Sequence, residues 1–118
     1  MINPKLLPVY STTEQVVGTW FGKPIYRKVF VVNKSETTSS SINIPTNIET
    51  VETVVNQRGF VERTDGYIDY IPTNITNTDF MTYFGDFSTN LIRVRMGNSI
   101  YSVMSKVTVI LEYTKTTD

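Results

Sequence analysis

Residues 102–113, SVMSKVTVILEY, alternate in side-chain character with a period of two. Val103, Ser105, Val107, Val109, Leu111 and Tyr113 fall on one face, and Ser102, Met104, Lys106, Thr108, Ile110 and Glu112 on the other. A β-strand sends successive side chains to opposite faces, so this pattern predicts a strand with one face turned inward. A strand leaves its own N–H and C=O groups unpaired, so other segments of the chain must lie beside it.

The rest of the sequence supplies such segments. The chain contains no alanine, and Val, Ile, Tyr and Phe carry most of its apolar content among many Thr, Ser and Asn. That mixture favours strands over helices. Turn signals separate the runs at the spacing of an all-β sandwich or barrel. Gly22, Lys23 and Pro24 are expected to break the chain between strands at 16–21 and 25–32. Asp65-Gly66 predicts a hairpin between 60–63 and 67–71, because the pair tolerates positive φ. Gly85-Asp86 and Gly97-Asn98 predict two further turns. Residues 33–41, NKSETTSSS, read as a polar loop.

One segment carries two signals. Thr46 and Glu49 have the spacing of a helix capping box, and Ile48, Val51, Val54 and Val55 recur at helical spacing. Residues 50–55 are nevertheless mostly β-branched and stiff at χ1. The expectation is one helical turn at most near 46–49, then a strand over about 51–63. With 118 residues and no internal repeat, the chain reads as one domain, 1–118, with residues 1–10 as an N-terminal arm. The expected fold class is all-β, an antiparallel β-sandwich of jelly-roll-like form.

Composition narrows the chemistry. There is no cysteine and no histidine, so disulfides, thiolate catalysis and His-dependent triads are excluded, and soft-metal sites lose their usual ligands. Formal net charge is zero, from 11 basic and 11 acidic residues, without the basic excess of a nucleic-acid binder. No Gly-rich phosphate loop is present. No apolar run approaches the ~20 residues that span a bilayer, and the N-terminus MINPKLLPVYS does not read as a signal peptide. No cofactor and no metal are expected, and nucleic-acid and membrane partners are not.

Carboxylates and aromatic rings remain. Asp65, Asp69, Asp79, Asp86, Glu49, Glu52 and Glu62 could in principle pair for glycosidase chemistry, but their setting reads as solvated surface. Asp65 and Asp69 lack the spacing of an EF-hand calcium loop. Tyr67, Asp69 and Tyr70 form one possible glycan contact, and Tyr83, Phe84 and Asp86 another; the competing reading places these rings in a core or subunit interface. Trp20 reads as a structural anchor at the first turn. Glu14 and Lys23 are a possible pair across it. Ile25, Val29 and Val31 on one face, against Tyr26, Phe30 and Val32 on the other, make one strand apolar on both sides. A small sandwich buries one face of each sheet, so the second face calls for a partner copy.

Residues 10–28, YSTTEQVVGTWFGKPIYRK, resemble a segment found in structural proteins of tailed phages and prophages of Gram-positive bacteria. The pattern is carried by Tyr10, Ser11, Thr12, Glu14, Val16, Val17, Gly18, Thr19, Trp20, Gly22, Lys23, Pro24, Ile25, Tyr26, Arg27 and Lys28. Phe21 stands alone before Gly22 where the family often carries one more residue, so the turn should be tight. The C-terminal EYTKTTD, from Glu112, is similar to the family's ending, and Ile44-Pro45, Ile48-Glu49, Asp65-Gly66 and Tyr70-Ile71-Pro72 follow its central order.

The resemblance implies an all-β, homotrimeric module of a virion appendage, located in the virion and made in the bacterial host cytoplasm. It implies attachment to other virion proteins at a tail fibre, baseplate or head fibre, adhesion to the host surface by glycan contact, and no enzymatic activity. The alternative is a structural or decoration protein without a receptor. Met1 and the family-like ending are consistent with a stand-alone gene product.

Overall fold

The computed structural model describes residues 10–73, 77–88 and 90–118; the expected N-terminal arm, apart from Tyr10, lies outside them. Among the described residues the chain forms eight strands and one short helix. In chain order these are β1 (Gln15–Trp20), β2 (Lys23–Asn33), β3 (Ser41–Pro45), β4 (Val51–Arg63), β5 (Ile68–Ile71), β6 (Thr82–Phe84), β7 (Leu91–Met96), α1 (Asn98–Val103) and β8 (Met104–Lys115). They make a five-stranded sheet, β1-β2-β8-β4-β5, and a three-stranded sheet, β3-β7-β6. Every neighbouring pair is antiparallel.

The alternating segment becomes β8, at the centre of the larger sheet between β2 and β4. Val107, Val109, Leu111 and Tyr113 point inward and are buried. They meet Ile42 and Ile44 of β3 and Ile92, Val94 and Met96 of β7 in one apolar core shared by both sheets. Phe30, Val61 and Ile71 complete the larger sheet's contribution. Pairing is nested: β2 with β8, and β3 with β7, so the late strands run back along the early ones.

Two local expectations are corrected, the first turn and the start of the last strand, while the limit of one helical turn near 46–49 holds. The first turn is Phe21-Gly22, with both residues at positive φ (49° and 81°), and Trp20 pairs directly with Lys23. Pro24 therefore lies inside β2, opposite Thr19 and before β8 pairing begins at Tyr26, where its missing donor costs no ladder bond to β8. No helical turn forms at Thr46: its Oγ1 accepts from Ile48 N at 3.3 Å and donates to Asn90 O at 2.9 Å, while Asn47 adopts φ 58°. Ser102 and Val103 belong to α1, not to β8. Gly97 N donates to Met81 O at 2.8 Å, and Ile100 is sunk in the core. Those two anchors fix a helical turn that periodicity alone does not register.

The strand at 51–63 and the Asp65-Gly66 hairpin stand as expected. β4 begins at Val51 and ends at Arg63, and Gly66 sits at φ 90°. The polar loop contains a 3-10 turn at Lys34–Glu36, where Glu36 Oε1 accepts from Asn33 N and Nδ2 at 2.9 Å each.

Candidate functional site

The two sheets present outer faces of different character. On the larger sheet, register aligns outward residues in rows across the strands. Val31, Thr108, Phe60 and Tyr70 form one row, and Val29, Ile110 and Arg58 the next. Tyr70 is 69% exposed and meets Phe60 edge-to-face at 6.5 Å. Val31 and Ile68 are also exposed. A shallow apolar depression of about 320 Å³ lies between Tyr10, Val29, Phe60, Thr108 and Ile110.

Charges flank this surface in satisfied groups. Glu112 takes Arg58 at 3.0 Å and Arg27 at 3.5 Å, and the Tyr10 ring lies 4.1 Å from the Arg27 guanidinium. At the other end Lys106 pairs with Glu62 at 3.6 Å.

The candidate glycan residues separate. Tyr67 and Asp69 lie at the β4–β5 hairpin around Arg63, whose guanidinium holds Asp65 at 2.6 Å and Asp69 at 3.3 Å and sits 5.4 Å from the Tyr67 ring. The bonds from Arg63 hold the Asp65 carboxyl below its ordinary value. Asp65 and Asp69 thus share one cation instead of facing an open site. Tyr70 points to the outer face, while Asp69 alternates to the other side of β5.

Tyr83 and Asp86 lie on the three-stranded sheet, away from the first group. Tyr83 is 47% exposed and aligns with Arg95 and Ser41 across the outer face. Beside it is a depression of about 330 Å³ lined by Ser41, Thr78, Met81, Tyr83, Arg95, Met96 and Gly97. A second hollow, about 230 Å³, adjoins it through Ser41 and includes Thr37, Thr38, Glu36 and Asn43. Phe84 instead packs against the core, and Asp86 lies in the exposed β6–β7 loop outside the lining of either hollow. Sequence reasoning missed Ser41, Thr78 and Arg95 because they come together only once β3, β6 and β7 are paired. The legible signal was the Arg93-x-Arg95 spacing, which puts both side chains on one face of a strand.

Trp20 is not a buried anchor. It is 41% exposed and packs edge-to-face on Phe21, itself 92% exposed, at 5.1 Å. Glu14 and Lys23 do not pair with each other. Lys23 pairs with Glu52, and Glu14 accepts from the Tyr113 hydroxyl and from Lys115 Nζ. Burial pushes the Glu14 carboxyl up, but the bonds from Lys115 and Tyr113 outweigh it and hold it below its ordinary value of 4.5. Burial and the Glu14 bond push the Tyr113 hydroxyl well above the usual tyrosine range.

Four of the seven acids considered for acid–base chemistry are tied to cations: Asp65, Asp69, Glu52 and Glu62. Among the described residues no group of three or more acidic side chains is placed to hold a metal ion, and no helix is long and apolar enough to cross a membrane. No family model matches the chain, and searches of curated proteins and of solved structures each return no significant match.

Proposed function

We propose that this chain is a virion appendage module of a tailed phage, at a tail fibre, baseplate or head fibre tip, that assembles as a homotrimer and grips the bacterial surface through glycan. The observation that carries this reading is the apolar outer face of the five-stranded sheet. Val31, Phe60, Tyr70 and Ile110 form a contiguous patch on the wrong side of the sheet for the core. Such patches on soluble proteins mark interaction surfaces. The proposed occupant is a second copy of the chain. The flanking charges are paired within each chain, Glu112 with both Arg27 and Arg58 and Glu62 with Lys106, so they sit at the rim of the patch already holding partners.

A ring of three needs two different patches on each copy. The exposed Trp20–Phe21 tip supplies the second, suited to the apolar depression around Phe60 and Ile110. The nested β2·β8 and β3·β7 pairs support a jelly-roll-like winding. The three-stranded sheet is then free to face the host, and three weak sites combine through effective concentration. No catalytic role is assigned to any residue.

The alternative is a decoration protein without a receptor, in which the exposed aromatic tip attaches to another virion protein instead of joining copies of the chain. Binding of the purified protein to whole bacteria separates the two. Saturable binding supports adhesion, and its absence across hosts whose phages carry the similar segment leaves the decoration reading.

A further inference from the structure

On the outer face of the three-stranded sheet two arginines stand together without a counter-ion among the described residues. Arg93 and Arg95 are two residues apart on β7, so both side chains leave the same face. No Asp or Glu occurs in β3, β6 or β7. The other three arginines, Arg27, Arg58 and Arg63, each hold a carboxylate. Asp79 and Asp86, in the flanking turns, pair with neither Arg93 nor Arg95 among the described residues.

We propose that this face is a binding site for an anionic group, phosphate ester or carboxylate, carried on a glycan polymer. Arg93 makes no side-chain hydrogen bond or ion pair among the described residues, and its Nε is buried without an acceptor. Buried donors in folded proteins are nearly always satisfied, so an orphan on a cation calls for a missing acceptor. Among the described residues Arg95 commits only Nη1, to Ile42 O at 3.3 Å, Asn43 Oδ1 at 3.2 Å and Val94 O at 3.2 Å. Those bonds fix the plane of its guanidinium while Nε and Nη2 stay uncommitted. A fixed planar guanidinium matches the oxygens of a phosphate or carboxylate in bidentate fashion.

The neighbours suit a sugar. Gly85, whose N donates to Arg93 O at 2.8 Å, puts no side chain over that arginine. The half-exposed Tyr83 ring lies in the row with Arg95, and Ser41 and Thr78 hydroxyls line the adjoining depression. An aromatic face and hydroxyls fit a pyranose, and the cations fit its charged substituent. A nucleic acid needs a longer basic stripe than two arginines supply.

The inference rests on the adhesion reading for the biological source of the polymer; the site's anion chemistry is tested apart from it. Titration at low salt with phosphorylated dextran, polygalacturonate, neutral dextran and a DNA duplex reads the ligand class, with the phosphate and carboxylate arms telling the two anions apart. The expected result is binding to at least one anionic polysaccharide at least tenfold tighter than to neutral dextran. Arg93→Gln should weaken it at least fivefold with an unchanged melting temperature, Arg93→Lys should restore part of it, and Lys106→Gln on the opposite sheet should leave it unchanged. Failure of both anionic polysaccharides to bind, wild-type affinity in Arg93→Gln, equal loss in Lys106→Gln, or tighter binding to DNA would each overturn the proposal. Binding of the same variants to bacteria keeps the two ideas apart. Cell binding untouched by Arg93→Gln overturns this site and leaves adhesion standing. Polymer binding lost in Arg93→Gln, with no cell binding by wild type, sustains the site and removes adhesion.

Discussion

Two residues show how single side chains set the terms of this fold. Glu14 ties the start of β1 to the end of β8 by accepting from Tyr113 and Lys115. Its folded pKa lies below the unfolded value, so its contribution is complete above that unfolded value and is lost as pH falls through the folded one. Glu14→Gln should cost about 1 kcal/mol near neutral pH, a charged hydrogen bond discounted for solvent screening. The gap between wild type and variant should close as pH falls from about 5 to about 3; chemical denaturation across that range measures it. Phe21 illustrates the opposite case, a residue placed against its own preference. An aromatic side chain at φ 49° pays a steric cost that Asn bears better. Phe21→Asn should therefore raise stability by about 0.5–1 kcal/mol in thermal melts of a monomeric background. In the proposed trimer the same change should weaken association, since it removes the exposed ring.

At the scale of elements, legibility followed the range of the interactions. The strand at β4 and the Asp65-Gly66 hairpin could be read because β-branched residues and a turn pair act locally. The inward phase of Val107, Val109, Leu111 and Tyr113 could be read because alternation is a property of one strand. α1 was hidden, because Ser102 and Val103 continue that alternation while buried Ile100 and the Gly97–Met81 bond impose a helical turn. Trp20 was misplaced because apolar sequence neighbours do not tell whether a hairpin projects beyond the core. The shared face of Arg93 and Arg95 is legible in their spacing, but its lack of a carboxylate is not, because which acids an arginine can reach depends on which strands lie beside it. Of the two glycines within strands, Gly18 and Gly59, only Gly59 leaves no room for a side chain: a Cβ there would run into the Thr108 carbonyl oxygen. Gly59→Ala should push β4 and β8 apart and cost roughly 1–3 kcal/mol, as overpacking does. Denaturant midpoints would register it, and an unchanged midpoint would mean that the β4–β8 register is looser than described.

Across the whole molecule, the five-stranded sheet carries apolar surface on its outer face that one copy leaves exposed. Two sheets sharing a core satisfy the inner faces, while on the outer face Val31, Ile68 and Tyr70 stay exposed and Phe60 and Ile110 half-buried. Three-fold closure would cover them and leave the arginine-bearing sheet outward. The measurement that bears most directly on this is light scattering with size exclusion at micromolar concentration, on wild type and on a Phe60→Asp, Ile110→Asp variant. The proposed trimer gives three times the 13.5 kDa chain mass for wild type and a folded single chain for the variant. A wild-type protein that runs as one 13.5 kDa chain, with its sheet face bare in solution, would contradict it.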